Sequence, residues 1–598
     1  MKGTKLRTLD KHLRIIITNL LLCLVAGIFL ISCRSGDDSK AFNSITVFEQ
    51  SNGKQTATYE EVIDFYQGLA DANTSIAFYE MGQTDSGKPL HLVTFNPDRT
   101  FDSEFAGDQQ KTILLINNGI HPGEPDGIDA SMMLMRDLAN GTVQTPENLI
   151  IAVIPVYNIG GALNRNSSSR TNQNGPESYG FRGNARNFDL NRDFIKADTR
   201  NARAFIELFH TVDPDLFIDT HVSNGADYQY TLTHLFTQHN KLGGELGNYL
   251  HTEFMPRLED SLIKQDWEIT PYVNVFNRTP ESGFNQFLDG PRYSTGYAAL
   301  FNSLGMMIET HMLKPYKKRV EGTYALLNEF IRIADAEAEA IRKLRRNAIS
   351  DMKPGTEYPL VWQLDTTQSS RLNFKGYEAT TTASKVTNAQ RLKYDTTRPF
   401  TKEVIYNNYY KPEKSVTIPE YYIIPTGYHN VVNLLRDNGI RCEMVTKDST
   451  VLAKVYYIED FETVRSPYEG HYLHYNTSVN TREEEVNIRA GDYKVSTDQR
   501  GIRYILETLE PIAPDSYFNW NFFDTILQQK EGFSPYVWED KAEAFLSENP
   551  ELMAEFEAKK LAEPEFASNW FMQLDWIHKR SPHYETAHLR YPVVRVGG

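Results

Sequence analysis

Cysteine is nearly absent: 598 residues hold three, at Cys23, Cys33 and Cys442. Neither a disulfide framework nor a thiolate zinc site can be assembled from so few. Basic residues are in deficit too, 62 Lys and Arg against 78 Asp and Glu, so the net charge is −16. That balance works against gripping a phosphate backbone, and nucleic acid is not an expected partner. There is no internal repeat, low-complexity block or Gly-rich phosphate loop, and the Gly-Gly pairs at Gly160 and Gly243 lack a nucleotide fingerprint. What is present is an ordinary folding composition, 40% hydrophobic and 23% charged. At roughly 150 residues per domain, about two to four domains are expected.

The amino terminus is basic, with Lys2, Lys5, Arg7, Lys11 and Arg14, and continues into an apolar run from Ile15 to Ile31. This is the layout of an export signal. Leu30-Ile31-Ser32-Cys33 resembles a bacterial lipoprotein cleavage box, in which the cysteine is lipidated and becomes the first residue of the mature chain. An uncleaved membrane anchor is the alternative reading of the same run. In either case the body is expected outside the cytoplasm, on the periplasmic side or the cell surface. Residues 1–32 are read as signal and 33–56 as tether, the polar stretch after Cys33 suiting a flexible link.

From residue 57, strand-length apolar runs alternate with helical patterns, as in an α/β domain. Thr58-Tyr-Glu-Glu61 has capping-box spacing before an amphipathic helix. Residues 111–120, 149–158, 215–222 and 305–312 are near-continuously apolar, as buried strands are, and each ends in polar residues. A helix is expected from Asp126 to a stop at Gly141, and a long one from Lys317 to Ile349. Pro354-Gly355 is the strongest boundary signal, dividing a domain over 57–353 from an accessory α+β region over 354–598.

The segment from Asn117 to Gly127 places His121 and Glu124 three apart just after a predicted strand, where a turn can aim both at one point. An imidazole and a carboxylate so converged can hold zinc, provided a third ligand and an open position exist. His221, at the end of another predicted strand, is a candidate third ligand. Asp219, two residues earlier, is either its outer support or a solvated carboxylate. Asn191 and Arg192 stand in Asn187-Phe-Asp-Leu-Asn-Arg-Asp193, and Glu309 ends one more apolar run.

In this order, His-x-x-Glu, Asp-x-Asn-Arg, a strand-terminal His and a strand-terminal Glu resemble the zinc carboxypeptidase family. Gly82 to Leu90 (GQTDSGKPL) is similar to the family's early Gly-x-x-x-x-Gly-Arg-Pro-Leu, and Pro155-Val-Tyr-Asn158 to its Pro-x-x-Asn strand end. The resemblance spans about residues 57–346. It implies a mixed, twisted sheet of about eight strands between helices, with the site at strand ends. It further implies one zinc ion per chain on His121, Glu124 and His221, with Glu309 as the general base that activates water. Asn191 and Arg192 would hold the substrate carboxylate. Arg170 is the choice for the oxyanion, with Arg165 and Arg182 as rivals.

Several departures qualify this resemblance. Pro122-Gly123 stands where digestive-type members carry a basic residue. The family tyrosine that closes over substrate is sought in Arg292-Tyr-Ser-Thr-Gly-Tyr297, but neither Tyr293 nor Tyr297 has the usual spacing from Glu309. Tyr297 and Arg292 are nevertheless carried as substrate-binding candidates, and His311 as a structural histidine. The expected reaction is hydrolysis of a peptide bond next to a free carboxylate. Deacylation of N-acyl amino acids is the alternative, since related amidohydrolases share the Gly-x-His-x-x-Glu entry. A binding protein that has lost catalysis would lack a ligand or the base, and all four are here. The accessory region is expected to shape substrate access and to supply no zinc ligand.

Overall fold

The structure, a computed structural model, describes residues 44–98 and 111–598. The export segment, Cys33 and the first part of the expected tether lie outside the described residues. Residues 45–56 are not tether. Thr46 and Glu49 form a capping box around a one-turn helix, Val47–Gln50, Arg136 grips the Glu49 carboxylate, and Phe48 meets the Tyr316 ring edge-on. Ion pair and apolar anchor together dock this stretch on the body. Among the described residues no helix is long and apolar enough to cross a membrane.

Eight strands build the central mixed sheet: β1 (Ile76–Gln83), β2 (Pro89–Phe95), β3 (Thr112–Asn117), β4 (Leu149–Ile154), β5 (Leu216–Ser223), β6 (Leu232–Phe236), β7 (Ile269–Pro271) and β8 (Leu304–His311). Their order is β1-β2-β4-β3-β5-β8-β6-β7. β4, β3, β5 and β8 run parallel at the centre, whereas β1, β2 and β6 join antiparallel. The central strands are buried on both faces, which is why their sequences are almost unbroken runs of Ile, Leu and Val. Because β3, β5 and β8 are parallel, their carboxyl ends lie along one edge, and the polar residues that close each run share a crevice.

Helices α1 (Tyr59–Ala72) and α2 (Asp126–Ala139) follow the expected apolar faces, and Thr58 caps α1 with Glu61 as its spacing implies; α3 (Arg200–Val212) is a further helix with no counterpart among those expected. The long helix expected to Ile349 is two, α4 (Tyr316–Ala336) and α5 (Ala338–Ser350), separated at Glu337, which leaves the helical backbone region. The residues around this break have good helix propensity, so nothing local signals it.

Beyond Pro354-Gly355 lie a six-stranded sheet that includes one long hairpin, a second long hairpin outside it, a two-stranded pair and a set of helices. One hairpin, Ser370–Ala383 with Gln390–Asn407, pairs through Tyr406 with Phe284 of the preceding half. The boundary is therefore a turn in the chain and not a gap in the packing. A single core cluster contains Phe205, Tyr297 and Phe301 on one side of residue 354 and Tyr504, Tyr517 and Trp520 on the other. Phe301 stacks on Tyr504 with ring centroids 5.7 Å apart.

Gly127 marks the point where α2 lies on β5. A Cβ there would stand 2.1 Å from Thr220 Oγ1 and 2.6 Å from Asn118 Oδ1. Gly127→Ala must push helix and strand apart and is expected to cost about 1–3 kcal/mol of stability. Chemical denaturation checks this: the midpoint should fall with the slope unchanged, and an unmoved midpoint would show that the contact relaxes freely.

Candidate active site

Three strand ends deliver the functional side chains. Beyond β3, Gly119 takes a left-handed backbone (φ 67°) and a tight turn closes from Glu124 N–H to the His121 carbonyl. Asn158, just past β4, braces this loop. Its side chain donates to the Ile120 and Arg182 carbonyls and accepts from Gly161 N–H. The Pro-x-x-Asn strand end thus ties the His121 loop to the Arg182 loop. His221 and Asp219 lie on the same face of β5, and Glu309 of β8 is in direct register with His221.

His121, Glu124 and His221 converge. His121 Nδ1 is 3.2 Å from His221 Nδ1 and 3.5 Å from Glu124 Oε2, which is 3.0 Å from His221 Nδ1. Donors about 2.1 Å from a tetrahedral ion stand about 3.4 Å from one another, so these separations suit a shared metal ion. The far nitrogens are held by carboxylates: His121 Nε2 lies 2.8 Å from Asp189 Oδ1, and His221 Nε2 lies 2.9 Å from Asp219 Oδ2. Donation of each Nε2–H leaves a lone pair on each Nδ1, the tautomer that metal binding requires. Two imidazoles and a carboxylate, so oriented, fit zinc. Asp219 is further fixed by Ser294 and Asn117, so of its two readings the outer support is the one observed.

The carboxylates are tuned apart. Burial works against ionisation of Glu124, but the Arg170 charge, with His121 and His221, overcomes it and holds the carboxyl well below the usual range. Asp189 is likewise depressed against its burial by His121, Arg182 and Arg192. Glu309 moves the other way. Burial, reinforced by the Glu124 charge, pushes it up to about 7, although His221, Arg170 and Arg182 pull it back. Its Oε2 is buried without a hydrogen-bond partner, and the residue stands on the wall of a cavity.

A cavity of about 300 Å³ opens on these residues, and Arg182, Asn191, Arg192, Tyr272, Tyr293 and Glu309 stand on its wall. Asn191 accepts from Ser294 N–H, which turns its amide NH2 away from that contact. Arg192 stacks on Tyr293 with its guanidinium 4.4 Å from the ring centroid. The other candidates lie elsewhere. Arg170 donates to Glu124 Oε1 at 2.6 Å and borders a separate small pocket, so its charge is spent on the Glu124 carboxylate. Arg165 donates to the Thr56, Ala57 and Ser178 carbonyls and is structural. Of the three arginines proposed for the oxyanion, Arg182 is the one on the cavity wall.

Two further expectations are corrected. Tyr297 does not bind substrate: it is fully buried among Phe194, Phe205, Phe209 and Phe301, with its hydroxyl on Asn438, because the whole of the short helix that carries it, Ser294–Ala299, is buried. Arg292 does not reach the cavity, since its Nε donates to Asp515 Oδ1 at 2.7 Å and its guanidinium covers Trp520. His311 is structural as expected, buried against Asp227 and Tyr228.

Asp189, Tyr272, Tyr468 and Glu469 were not singled out from the sequence. Asp189 was within reach, because it stands inside the Asn187–Asp193 motif and a ligating histidine needs an acceptor on its far nitrogen. Tyr468 and Glu469 contact Arg192 and Asp189 from nearly 280 positions away, and no local pattern points to them.

No family model matches the chain. Carboxypeptidase 2 of Trichophyton rubrum is 21% identical over 503 residues, covering 78% of this chain and 84% of that protein. Carboxypeptidase 2 of Trichophyton tonsurans is 22% identical over 501 residues, with the same shares of 78% and 84%. Matches of this length run well past residue 353. Among solved structures, a metallo-carboxypeptidase from Burkholderia cenocepacia aligns over 47% of this chain and 70% of its own at 16% identity and a TM-score of 0.36. Carboxypeptidase A from Helicoverpa armigera aligns over 47% and 74% at 14% identity and the same TM-score of 0.36.

Proposed function

We propose that the chain is a zinc-dependent carboxypeptidase that hydrolyses the peptide bond next to a free carboxylate. One observation carries this reading: three metal-binding donors converge beside Glu309, whose buried carboxylate oxygen has no partner. The long sequence likeness to proteins named carboxypeptidase supports it. A divalent ion held by His121, Glu124 and His221 would polarise the scissile carbonyl and acidify water. The remaining chemistry belongs to the chain.

Asp189 and Asp219 keep both imidazoles in the tautomer and orientation that binding needs. Asn191 and Arg192 take the terminal carboxylate, the planar guanidinium matching its two oxygens. Glu309 accepts a proton from the attacking water as the C–O bond forms, then returns it to the amine nitrogen as the C–N bond breaks. Arg182 faces the oxygen that becomes negative in between. On this reading the enzyme works outside the cytoplasm, tethered through lipid on Cys33. The basic segment, apolar run and Leu-Ile-Ser-Cys box support that part.

Metal analysis and a substrate panel test the proposal. Purified protein should carry one zinc per chain, and His121→Ala should carry little. N-acyl dipeptides with a free carboxylate should be cleaved and their C-terminal amides should not. Equal cleavage of the amides, or a preference for single N-acyl amino acids, would overturn it in favour of a different amidohydrolase. Glu309→Gln should keep its zinc and lose about a hundred- to ten-thousand-fold in kcat.

The acid limb of kcat/KM gives a separate check. Glu309 must be ionised to accept a proton, so activity should rise with pH through its pKa and be lost below it. Burial sets that pKa at about 7, and the charge of a bound cation lowers it. The limb should therefore fall at or below about 7, and a pH-rate profile that is flat on the acid side would exclude this base. Finally, Cys33→Ala should move the protein from the detergent phase to the aqueous phase on phase partitioning.

A further inference from the structure

The hairpin Ser449–Thr463 and His474–Ile488, in the half of the chain beyond residue 354, ends in a tip that lies on the loop carrying Asp189 and Arg192. Within the tip, Tyr468 and His471 exchange two backbone hydrogen bonds, N–H to carbonyl, at 2.7 and 3.1 Å. The two residues between them, Glu469 (φ 50°) and Gly470 (φ 83°), are both left-handed. Tight hairpin turns require that conformation, but glutamate adopts it at a cost. The contacts made by the tip explain what holds it there. Glu469 Oε2 accepts from Asp189 N–H at 2.9 Å, the Tyr468 hydroxyl accepts from Arg192 Nε–H at 2.9 Å, and His471 Nε2 lies 2.8 Å from Asp198 Oδ2.

Tyr468 is itself buttressed. Its ring is nearly parallel to Trp520 with centroids 6.2 Å apart, and the Arg292 guanidinium covers both rings. Asp515 Oδ1 accepts from Arg292 Nε and from Trp520 Nε1, which locks the stack. The Arg192 guanidinium is consequently fixed on three sides: Nε by Tyr468, Nη1 by the Asn191 carbonyl at 2.7 Å, and its face by Tyr293. Arg192 is also one of the residues that line the cavity. A guanidinium held in this way loses little side-chain freedom when it binds an anion.

We propose that Tyr468 is a positioning residue for substrate binding: by accepting from Arg192 Nε–H it holds the guanidinium in the orientation that grips a substrate carboxylate. This makes the distal half of the chain part of the specificity machinery and not a detachable appendage. The inference rests on the carboxypeptidase reading for the role of Arg192, though the Tyr468–Arg192 contact itself does not.

The test uses the full chain with Tyr468→Phe, which keeps the stack on Trp520 and removes only the hydroxyl. For an N-acyl dipeptide with a free carboxylate, KM should rise about five- to tenfold, the scale of one ordinary hydrogen bond. The kcat, zinc content and melting temperature should stay near wild type, whereas a merely structural role would move all of them. In an Arg192→Ala background, Tyr468→Phe should add no further change in KM, because the tyrosine acts only through that arginine. A second arm measures dipeptide affinity by calorimetry on Glu309→Gln, with and without Tyr468→Phe, and expects the same five- to tenfold loss. If wild type cleaves the dipeptide and Tyr468→Phe leaves KM unchanged, the positioning role is overturned while the enzyme assignment stands. If wild type cleaves nothing, the enzyme assignment fails and the calorimetric arm decides: weakened carboxylate binding upholds the positioning role, and unchanged binding overturns it.

Discussion

Charged and polar groups are crowded beneath the surface at the ends of β3, β5 and β8, and each is tolerable only because a hydrogen-bonding partner touches it. Two imidazoles lie between carboxylates, Glu124 on the inner side and Asp189 and Asp219 on the outer, and Arg170 closes over the remaining oxygen of Glu124. Ions taken out of water singly cost several kcal/mol; in this arrangement each is hydrogen-bonded to a partner. Glu309 stands outside the pairing. It is next to the same groups, in register with His221, yet one of its oxygens has no partner, and its carboxyl is the one pushed upward. A proton acceptor is thereby left beside neighbours whose own hydrogen-bonding positions are already taken.

The frame around the site uses the same device. Arg319 is fully buried, pairs with Asp126 at the start of α2, and donates to the carbonyls of Asn174, Gly175 and Lys314. It thus fastens the segment following Arg170 to the end of β8. Thr310, next to Glu309, donates to the same Asp126 carboxylate. Asn158 does comparable work on the other side by joining the His121 and Arg182 loops. Loops that would otherwise move independently are held by buried polar networks, each fully satisfied, and such networks specify a unique arrangement.

The region beyond Pro354-Gly355 belongs to this frame. Its aromatic residues pack into the core of the central sheet, and the tip of its hairpin touches the loop from Phe188 to Asp198 at several points. Among the described residues it adds no donor to the converged triad. Its contribution is instead to hold Asp189 and Arg192, the residues through which His121 is oriented and the cavity wall receives a positive charge.

What could be read directly from the chain was what is local or periodic. Unbroken apolar runs marked the parallel strands because burial on both faces leaves no room for polar residues, and capping spacing marked α1 because the first turn must satisfy its own N–H groups. His121 with Glu124, His221, Glu309, Asn191 and Arg192 were legible because each stands at the end of such a run or in a short ordered motif. The break at Glu337, the core position of Tyr297, the capture of Arg292 by Asp515, the exchange of Arg170 for Arg182 on the cavity wall, and the reach of Tyr468 to Arg192 were not. Each depends on which distant charge or surface comes within a few ångströms, and that distance is a property of the packed chain alone.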